Sequence, residues 1–247
     1  MSSSENICII MPTYNNGGTL REVVERVMKQ CAHIIVVNDG CTDNSADILA
    51  SFGDRITVVD YGGNQGKGYA LKQGFRKAKQ MGFDYAITID SDGQHFPEDI
   101  PLFREAIALH PGALIVGSRN LKQENMPGKN SFANKFSNFW FRLQTGINLP
   151  DTQTGYRLYP LKRLPHIFSA RYEAELSLLV FSAWRGTKLI PIKVNVYYPK
   201  AEERVTHFRP FWDFFRISVL NTILCLVALV YGWPSILFHK IFGRRGA

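Results

Sequence analysis

The first half of the chain repeats one pattern. A short β-branched run is followed by a polar cluster, and then by apolar residues at helical spacing. Apolar runs at 7–11, 33–37, 56–59, 85–89 and 113–116 read as buried strands. The stretches 19–30, 43–52, 67–81 and 97–110 between them read as helices; in the first, Leu20, Val23, Val24, Val27 and Met28 fall on one face. Parallel strands need a crossover of this length. The pattern therefore predicts an α/β fold, a mostly parallel sheet with helices on both faces. Such sheets bind ligands beyond the carboxyl ends of their strands. The polar clusters lie at those ends: Thr13-Tyr14-Asn15-Asn16, Asn38-Asp39-Gly40, Gly62-Gly63-Asn64, Asp90 to Gln94, and Gly117-Ser118-Arg119. Five clusters sharing one rim predict a site there.

The cluster after the fourth strand has the most specific chemistry. Ile87-Thr88-Ile89-Asp90-Ser91-Asp92-Gly93-Gln94-His95 runs from a buried strand into two carboxylates one residue apart. Residues two apart in a strand face the same way. Asp90 and Asp92 thus converge if the strand continues, or cup an ion if it bends at Ser91. Hard oxygen donors suit Mg²⁺ or Mn²⁺, ions that keep open positions for a phosphate-bearing substrate. The plainer alternative is a solvated Asp-Gly turn.

The second half is less regular. Residues 131–143 are aromatic-rich and helical in spacing, 151–157 form a polar loop, 174–184 are helical and 188–198 extended. Residues 217–238 carry no charge and are long enough to span a bilayer, which takes about 20 residues. Arg216 precedes this stretch, and Lys240, Arg244 and Arg245 follow it. Basic residues at both ends favour a segment that dips in and returns. Residues 208–216 mix aromatics and arginines as an interfacial helix does; a buried core or dimer helix is the alternative. The expected division is a catalytic domain at 1–205 and an interfacial helix with an apolar membrane-associated tail at 206–247. An apolar tail also invites self-association into a homo-oligomer.

The net charge of +8 over 247 residues admits nucleic acid, an anionic membrane or phosphorylated substrates. No helix-turn-helix, zinc-finger or single-strand stacking pattern is present, so nucleic acid is not an expected partner. Cys8, Cys31, Cys41 and Cys225 lack metal-finger spacing and read as free thiols of a reducing compartment. The N-terminal residues lack the pattern of a signal peptide, which places the catalytic part in the cytoplasm, at the membrane face.

Taken together, Met11-Pro12-Thr13-Tyr14-Asn15, Asn38-Asp39-Gly40-Cys41-Thr42-Asp43, Asn64-Gln65-Gly66-Lys67-Gly68, Asp90 to His95, Gly117-Ser118-Arg119 and Asp151 to Arg157 resemble glycosyltransferase family 2. Within it they are similar to the polyprenol-phosphate sugar synthases of the dolichyl-phosphate mannose synthase type. The resemblance implies a glycosyltransferase-A fold, Rossmann-like, and inverting transfer from a GDP- or UDP-linked sugar. It implies a nucleotide pocket at Pro12, Tyr14, Asn16 and Asp39, with Asp90 and Arg209 also on the nucleotide sugar. Asp90, Asp92 and Gln94 match its metal and donor-phosphate positions. Arg119, Arg204 and Arg209 are candidates for the acceptor phosphate and donor diphosphate, because arginine's fork matches phosphate oxygens. Asp92, Arg119 and Arg204 are the expected catalytic set. Lys129, Asp151 and Arg157 fall at acceptor-side positions, though Asp151 and Arg157 also suit an internal ion pair. Glu173 and Glu175 match acidic positions at a helix start, and His95 and His207 need no catalytic role. The family often has Glu at Asn16 and Asp at Asn38, which leaves the base open.

The expected reaction is attack by a polyprenyl phosphate oxygen on the anomeric carbon of the nucleotide sugar. A phosphate monoester is already anionic near neutral pH and needs no strong base, so cation, arginines and positioning are the main terms. On that mechanism Asp92→Ala loses activity and Glu175→Ala retains it. Transfer to a hydroxyl of a glycolipid or polysaccharide is the rival, and needs a base such as Asp151, Glu173 or Glu175. A catalytically silent membrane adaptor is the remaining reading.

Overall fold

The computed structural model describes residues 6–119, 128–197 and 210–242, without the side chains of 128–132, 210, 211, 213 and 214. Seven strands form one sheet: β1 (Ile7–Thr13), β2 (Ile34–Asn38), β3 (Thr57–Asp60), β4 (Tyr85–Thr88), β5 (Leu114–Arg119), β6 (Arg157–Pro160) and β7 (Leu189–Val194). Their order is β3-β2-β1-β4-β6-β5-β7. All neighbouring pairs are parallel except those of β6, which runs antiparallel to both β4 and β5. The mostly parallel α/β sheet expected from the alternation is the one found. β6 is the addition, since Arg157 begins a strand where the polarity of 151–157 reads as loop.

Side-chain alternation sorts the helices onto two faces. Ile7, Ile9 and Met11 point to one side, against α1 (Gly17–Met28), α2 (Ser45–Ala50) and α4 (Ile100–Leu109). Cys8 and Ile10 point to the other, against α3 (Lys67–Gln80), α5 (Gly128–Thr145) and α6 (Glu173–Trp184). Leu224 of α7 (Pro210–Val227) joins that second core, as does Ala228 in the π-helical turn before α8 (Trp233–Phe242).

The chain leaves β1 toward β2 and β3, then crosses back to place β4 on β1's other side. This reversal opens a crevice at the carboxyl ends of β1 and β4. Pro12 to Asn16 follow one lip and Asp90 to Gln94 the other. Ser91 fastens the two: its hydroxyl donates to the Pro12 carbonyl at 3.1 Å and accepts from Asn16 Nδ2 at 2.8 Å. Thr19 Oγ1 donates to the Ser91 carbonyl at 2.7 Å.

Candidate active site

The crevice is a cleft of about 820 Å³. Pro12, Tyr14, Asn16, Asp39, Asp90, Asp92 and Gln94, all anticipated from the sequence, line it. Four of the five polar clusters open onto it. The fifth ends in Arg119, which turns to Asp151 and is separated from β4 by β6. Lys67, Arg171 and Tyr172, to which the sequence alone assigns no role, also line the cleft. Lys67 lay inside the Asn64 to Gly68 motif. The 169–172 segment carries no pattern of its own and reaches the cleft by packing on α3, where Tyr69 N–H donates to the Ala170 carbonyl.

Asp90 and Asp92 sit in different electrostatic settings. Lys67 Nζ lies 2.7 Å from Asp90 Oδ1 and 3.0 Å from Glu175 Oε2, bridging the two carboxylates. Burial opposes ionisation of Asp90, but the Lys67 charge holds its carboxyl below the usual range. Burial likewise opposes the Lys67 ammonium, and Asp90 and Glu175 together hold it above its usual value. Among the described residues no cation bridges Asp92 in this way. Burial, then the Asp90 charge, push its carboxyl up to about 6, while the Gln94 N–H donates to its Oδ1 at 3.0 Å. Gly155 backs the Lys67 bridge at close quarters. A Cβ there would lie 2.9 Å from Asp90 Oδ2, Glu175 Oε1 and Lys67 Nζ alike, so a larger residue would shift the ends of the bridge.

This donor set fits a divalent cation. Two carboxylates and the Gln94 amide line the same cleft and offer hard oxygens of the kind such an ion takes. Among the described residues no group of three or more His, Cys, Asp or Glu is gathered to hold a metal. A cation at this pair would take its remaining oxygens from water or substrate.

Asp39 lines the cleft, but its carboxylate is heavily engaged. It accepts from Tyr61 Oη at 2.8 Å, Asn64 Nδ2 at 3.1 Å, Gln65 N–H at 2.7 Å and Gly66 N–H at 2.9 Å. These bonds use about all of a carboxylate's acceptor positions. They fix the 61–66 loop and with it the start of α3, where Lys67 stands. Asn38 accepts from Cys41 N–H and donates to Asp60 Oδ2 at 2.7 Å. An Asp in its place would set two carboxylates against each other, a physical reason for the departure from the family pattern.

Of the residues expected on the acceptor side, Asp151 and Arg157 lie inside the protein. Asp151 is fully buried and pairs with Arg119, at 2.6 Å from Oδ2 to Nε and 3.0 Å from Oδ1 to Nη2. Burial opposes its ionisation, but the Arg119 hydrogen bonds hold it below the usual carboxylate range. The internal Asp–Arg pair thus exists, with Arg119 rather than Arg157 as partner. Arg157 is also fully buried. Its guanidinium donates to the Glu175 carbonyl at 2.6 Å, the Thr152 carbonyl at 2.9 Å and Tyr159 Oη at 3.2 Å. Both side chains are thus bonded to protein partners, Arg157 supporting the start of α6 through the Glu175 carbonyl. Glu173 lies 3.5 Å from Arg216 Nε. Arg204, Arg209 and His207 lie outside the described residues, as does the side chain of Lys129.

His95 is buried beside Tyr156, with ring centroids 5.1 Å apart. Burial, opposed by the Asp90 charge and aided by Arg119 and Lys67, lowers its imidazole from 6.5 to about 4. The folded state therefore binds fewer protons than the unfolded state between those values, and stability rises with pH across the window. Relative to a His95→Gln variant, the wild type is expected to lose up to about 3 kcal/mol between pH 6.5 and pH 4. Urea unfolding of both proteins across that range tests this, and parallel curves would refute it.

The chain belongs to glycosyl transferase family 2, whose family model matches residues 8–167. It is a glycosyltransferase with the expected glycosyltransferase-A fold. It is similar to the UDP-N-acetylglucosamine–dolichyl-phosphate N-acetylglucosaminyltransferase of Methanococcus voltae, at 28% identity over 241 residues, covering 87% of this chain and 96% of that one. It is also similar to the undecaprenyl-phosphate mannosyltransferase of Micrococcus luteus, at 27% identity over 202 residues, covering 76% and 82%. Among solved structures, glucosyl-3-phosphoglycerate synthase from Mycobacterium tuberculosis, in complex with Mn²⁺, UDP-glucose and phosphoglyceric acid, shares the fold. The TM-score is 0.64 at 18% identity, over 92% of this chain and 80% of that chain.

Proposed function

We propose that this glycosyltransferase moves a sugar from a GDP- or UDP-linked donor to a polyprenyl phosphate at the cytoplasmic face of a membrane. Similarity to transferases named for dolichyl and undecaprenyl phosphate supports the acceptor class. The observation that carries the mechanism is the state of the carboxylates around the cleft. Glu175 faces Lys67, Asp151 faces Arg119 and Glu173 faces Arg216. Each candidate base named for a hydroxyl acceptor is thus engaged by a cation, and none of the three is among the residues that line the cleft. A phosphate acceptor needs no such base.

In this reading Tyr14 and Pro12 flank the nucleotide, and Asp90, Asp92 and Gln94 hold Mg²⁺ or Mn²⁺. The ion, when bound, neutralises charge developing on the diphosphate. Arg171, on the cleft wall, is placed to meet donor phosphate oxygens. Asp39 acts through the 61–66 loop, and Arg119 with Asp151 braces the acceptor side. Free cysteines fit a reducing compartment, the cytoplasmic side.

A panel of GDP- and UDP-sugars with Mn²⁺ is expected to yield one donor that raises the melting temperature by several degrees. That donor, radiolabelled, should label polyprenyl phosphate in an acid-labile product and leave diacylglycerol unlabelled. Labelling of the hydroxyl lipid alone would overturn the acceptor assignment.

A further inference from the structure

By length and composition Phe215–Phe242 passes for a membrane span: it has 28 residues, and an 18-residue stretch within it has mean hydropathy 1.8 with 22% of that stretch buried. At 1.5 Å per residue it is about 42 Å long, more than a bilayer core needs. Its packing argues otherwise. One stripe of the helix is docked along the catalytic domain for most of its length. Gln144 Nε2 of α5 donates to Asn221 Oδ1 at 3.0 Å, and Leu224 and Ala228 are buried. A Cβ on Gly232 would lie 2.4 Å from Trp184 Cε2, so the backbone there touches the indole of α6. Ser235 Oγ donates to the Trp184 carbonyl at 2.6 Å, and the His239 ring abuts Gly186. Asn221 to His239 is about 27 Å of helix covered by protein.

A crossing helix would pull this flank of the domain into hydrocarbon. Arg185 and Lys188, exposed on either side of Gly186, would go with it. Packed at the His239 end, they would meet the interface, where each costs less than the roughly 2.5–3.5 kcal/mol of the bilayer centre. The opposite face has no such conflict. Phe215, Ile223, Leu226, Val230, Leu237 and Ile241 are all about half exposed or more, and recur at helical spacing.

We infer that this helix lies in the plane of an anionic lipid surface, bound by its outward face, and does not cross the bilayer. Charge favours lipid as the occupant. Arg216 and Lys240 flank the apolar face, and no acidic residue follows Asp213. Basic ends at one depth suit anionic headgroups, whereas a second copy would bring like charges together. The helix also begins beside the site, because Arg216 pairs with Glu173, next to Tyr172 and Arg171 of the cleft wall. The cleft then opens at headgroup level, where a lipid phosphate lies. The inference rests on the lipid-acceptor reading for its purpose, but not for its test.

The test uses the full chain in sealed inside-out membrane vesicles, with Cys41 and Cys225 replaced by alanine. Cysteines are introduced singly as Arg216→Cys and Lys240→Cys. A membrane-impermeant maleimide added outside, on the side of the catalytic domain, should label both. Labelling of only one end overturns the inference. Separately, Leu226→Glu/Val230→Glu should reduce flotation with vesicles containing about one-third phosphatidylglycerol at least tenfold, at an unchanged melting temperature. Retained flotation, with a dimer converted to monomer, would assign the face to a second copy instead and also overturn it. Transfer to a short-chain polyprenyl phosphate in detergent is measured alongside. A one-ended label with transfer intact refutes the in-plane helix alone, and absent transfer with both ends labelled refutes the acceptor reading alone.

Discussion

Replacing Asp92 by alanine is expected to lower sugar transfer at least about a hundredfold, the scale on which a preorganised electrostatic contact acts in a reaction of this kind. Asp92 lines the cleft together with Asp90 and is oriented by the Gln94 N–H. Asp90 already has Lys67 as counter-charge, whereas among the described residues no ion pair engages Asp92, which in the proposed mechanism meets the cation. Calorimetry should show Mn²⁺ affinity falling with turnover. The melting temperature should not fall, because at neutral pH the native state bears the cost of ionising a buried carboxyl raised to about 6. The sign can be followed with pH. A raised carboxyl makes the folded state bind more protons than the unfolded one between about 4 and 6, so this contribution weakens stability as pH rises through that window. Asp92→Ala removes that slope, opposite in direction to the one His95 contributes. Activity within threefold of wild type would remove Asp92 from the mechanism.

The site was legible where chemistry and strand periodicity coincide. Pro12 to Asn16, Asp39 and Asp90 to Gln94 each follow an apolar run whose end is unambiguous, and the crossover rule brings those ends to one rim. What stayed hidden depends on contacts across long sequence separations. β6 opens with a charged residue, and only its position between β4 and β5 makes a strand of it. Arg157 looked available because a polar loop is ordinarily solvated. Its burial follows from carbonyl partners at Thr152 and Glu175 that no local pattern announces. Arg119 carried the expected charge at the expected strand end, yet its nearest anion lies 32 positions along the chain, at Asp151. The tail's hydropathy was plain, whereas its docking on Trp184 is set by a small residue, Gly232, whose meaning is visible only opposite the indole.

Lys67→Met should produce the largest loss of stability in the site, about 3 kcal/mol, which for a chain of this size is a fall in melting temperature of roughly 6–12 °C. Methionine keeps the length of the side chain and removes the charge. Asp90 and Glu175, both within 2.9 Å of one point beside Gly155, are then left facing each other without a cation. The lysine is only 16% exposed, Asp90 25% and Glu175 10%, so water does little to screen the pair. The pH dependence follows from the directions of the shifts. Lys67 is raised, so its stabilisation is complete below the unfolded lysine value and is lost as pH rises through the folded one. Asp90 is lowered, so its stabilisation is present above the unfolded aspartate value and is lost as pH falls through the folded one. Between those limits the difference between wild type and variant should be flat, and it should shrink on acidification as the orphaned carboxyls take up protons. A second substitution separates charge from packing. Lys67→Met/Glu175→Gln removes one of the two abandoned charges and should recover part of the lost stability, although Glu175→Gln alone destabilises by stripping Lys67 of a partner. This also revises the expectation that Glu175→Ala leaves activity intact, since Glu175 holds the lysine that holds Asp90. If Lys67→Met melts within about 1 °C of wild type, or the double variant is no more stable than Lys67→Met, the bridge is not what positions Asp90.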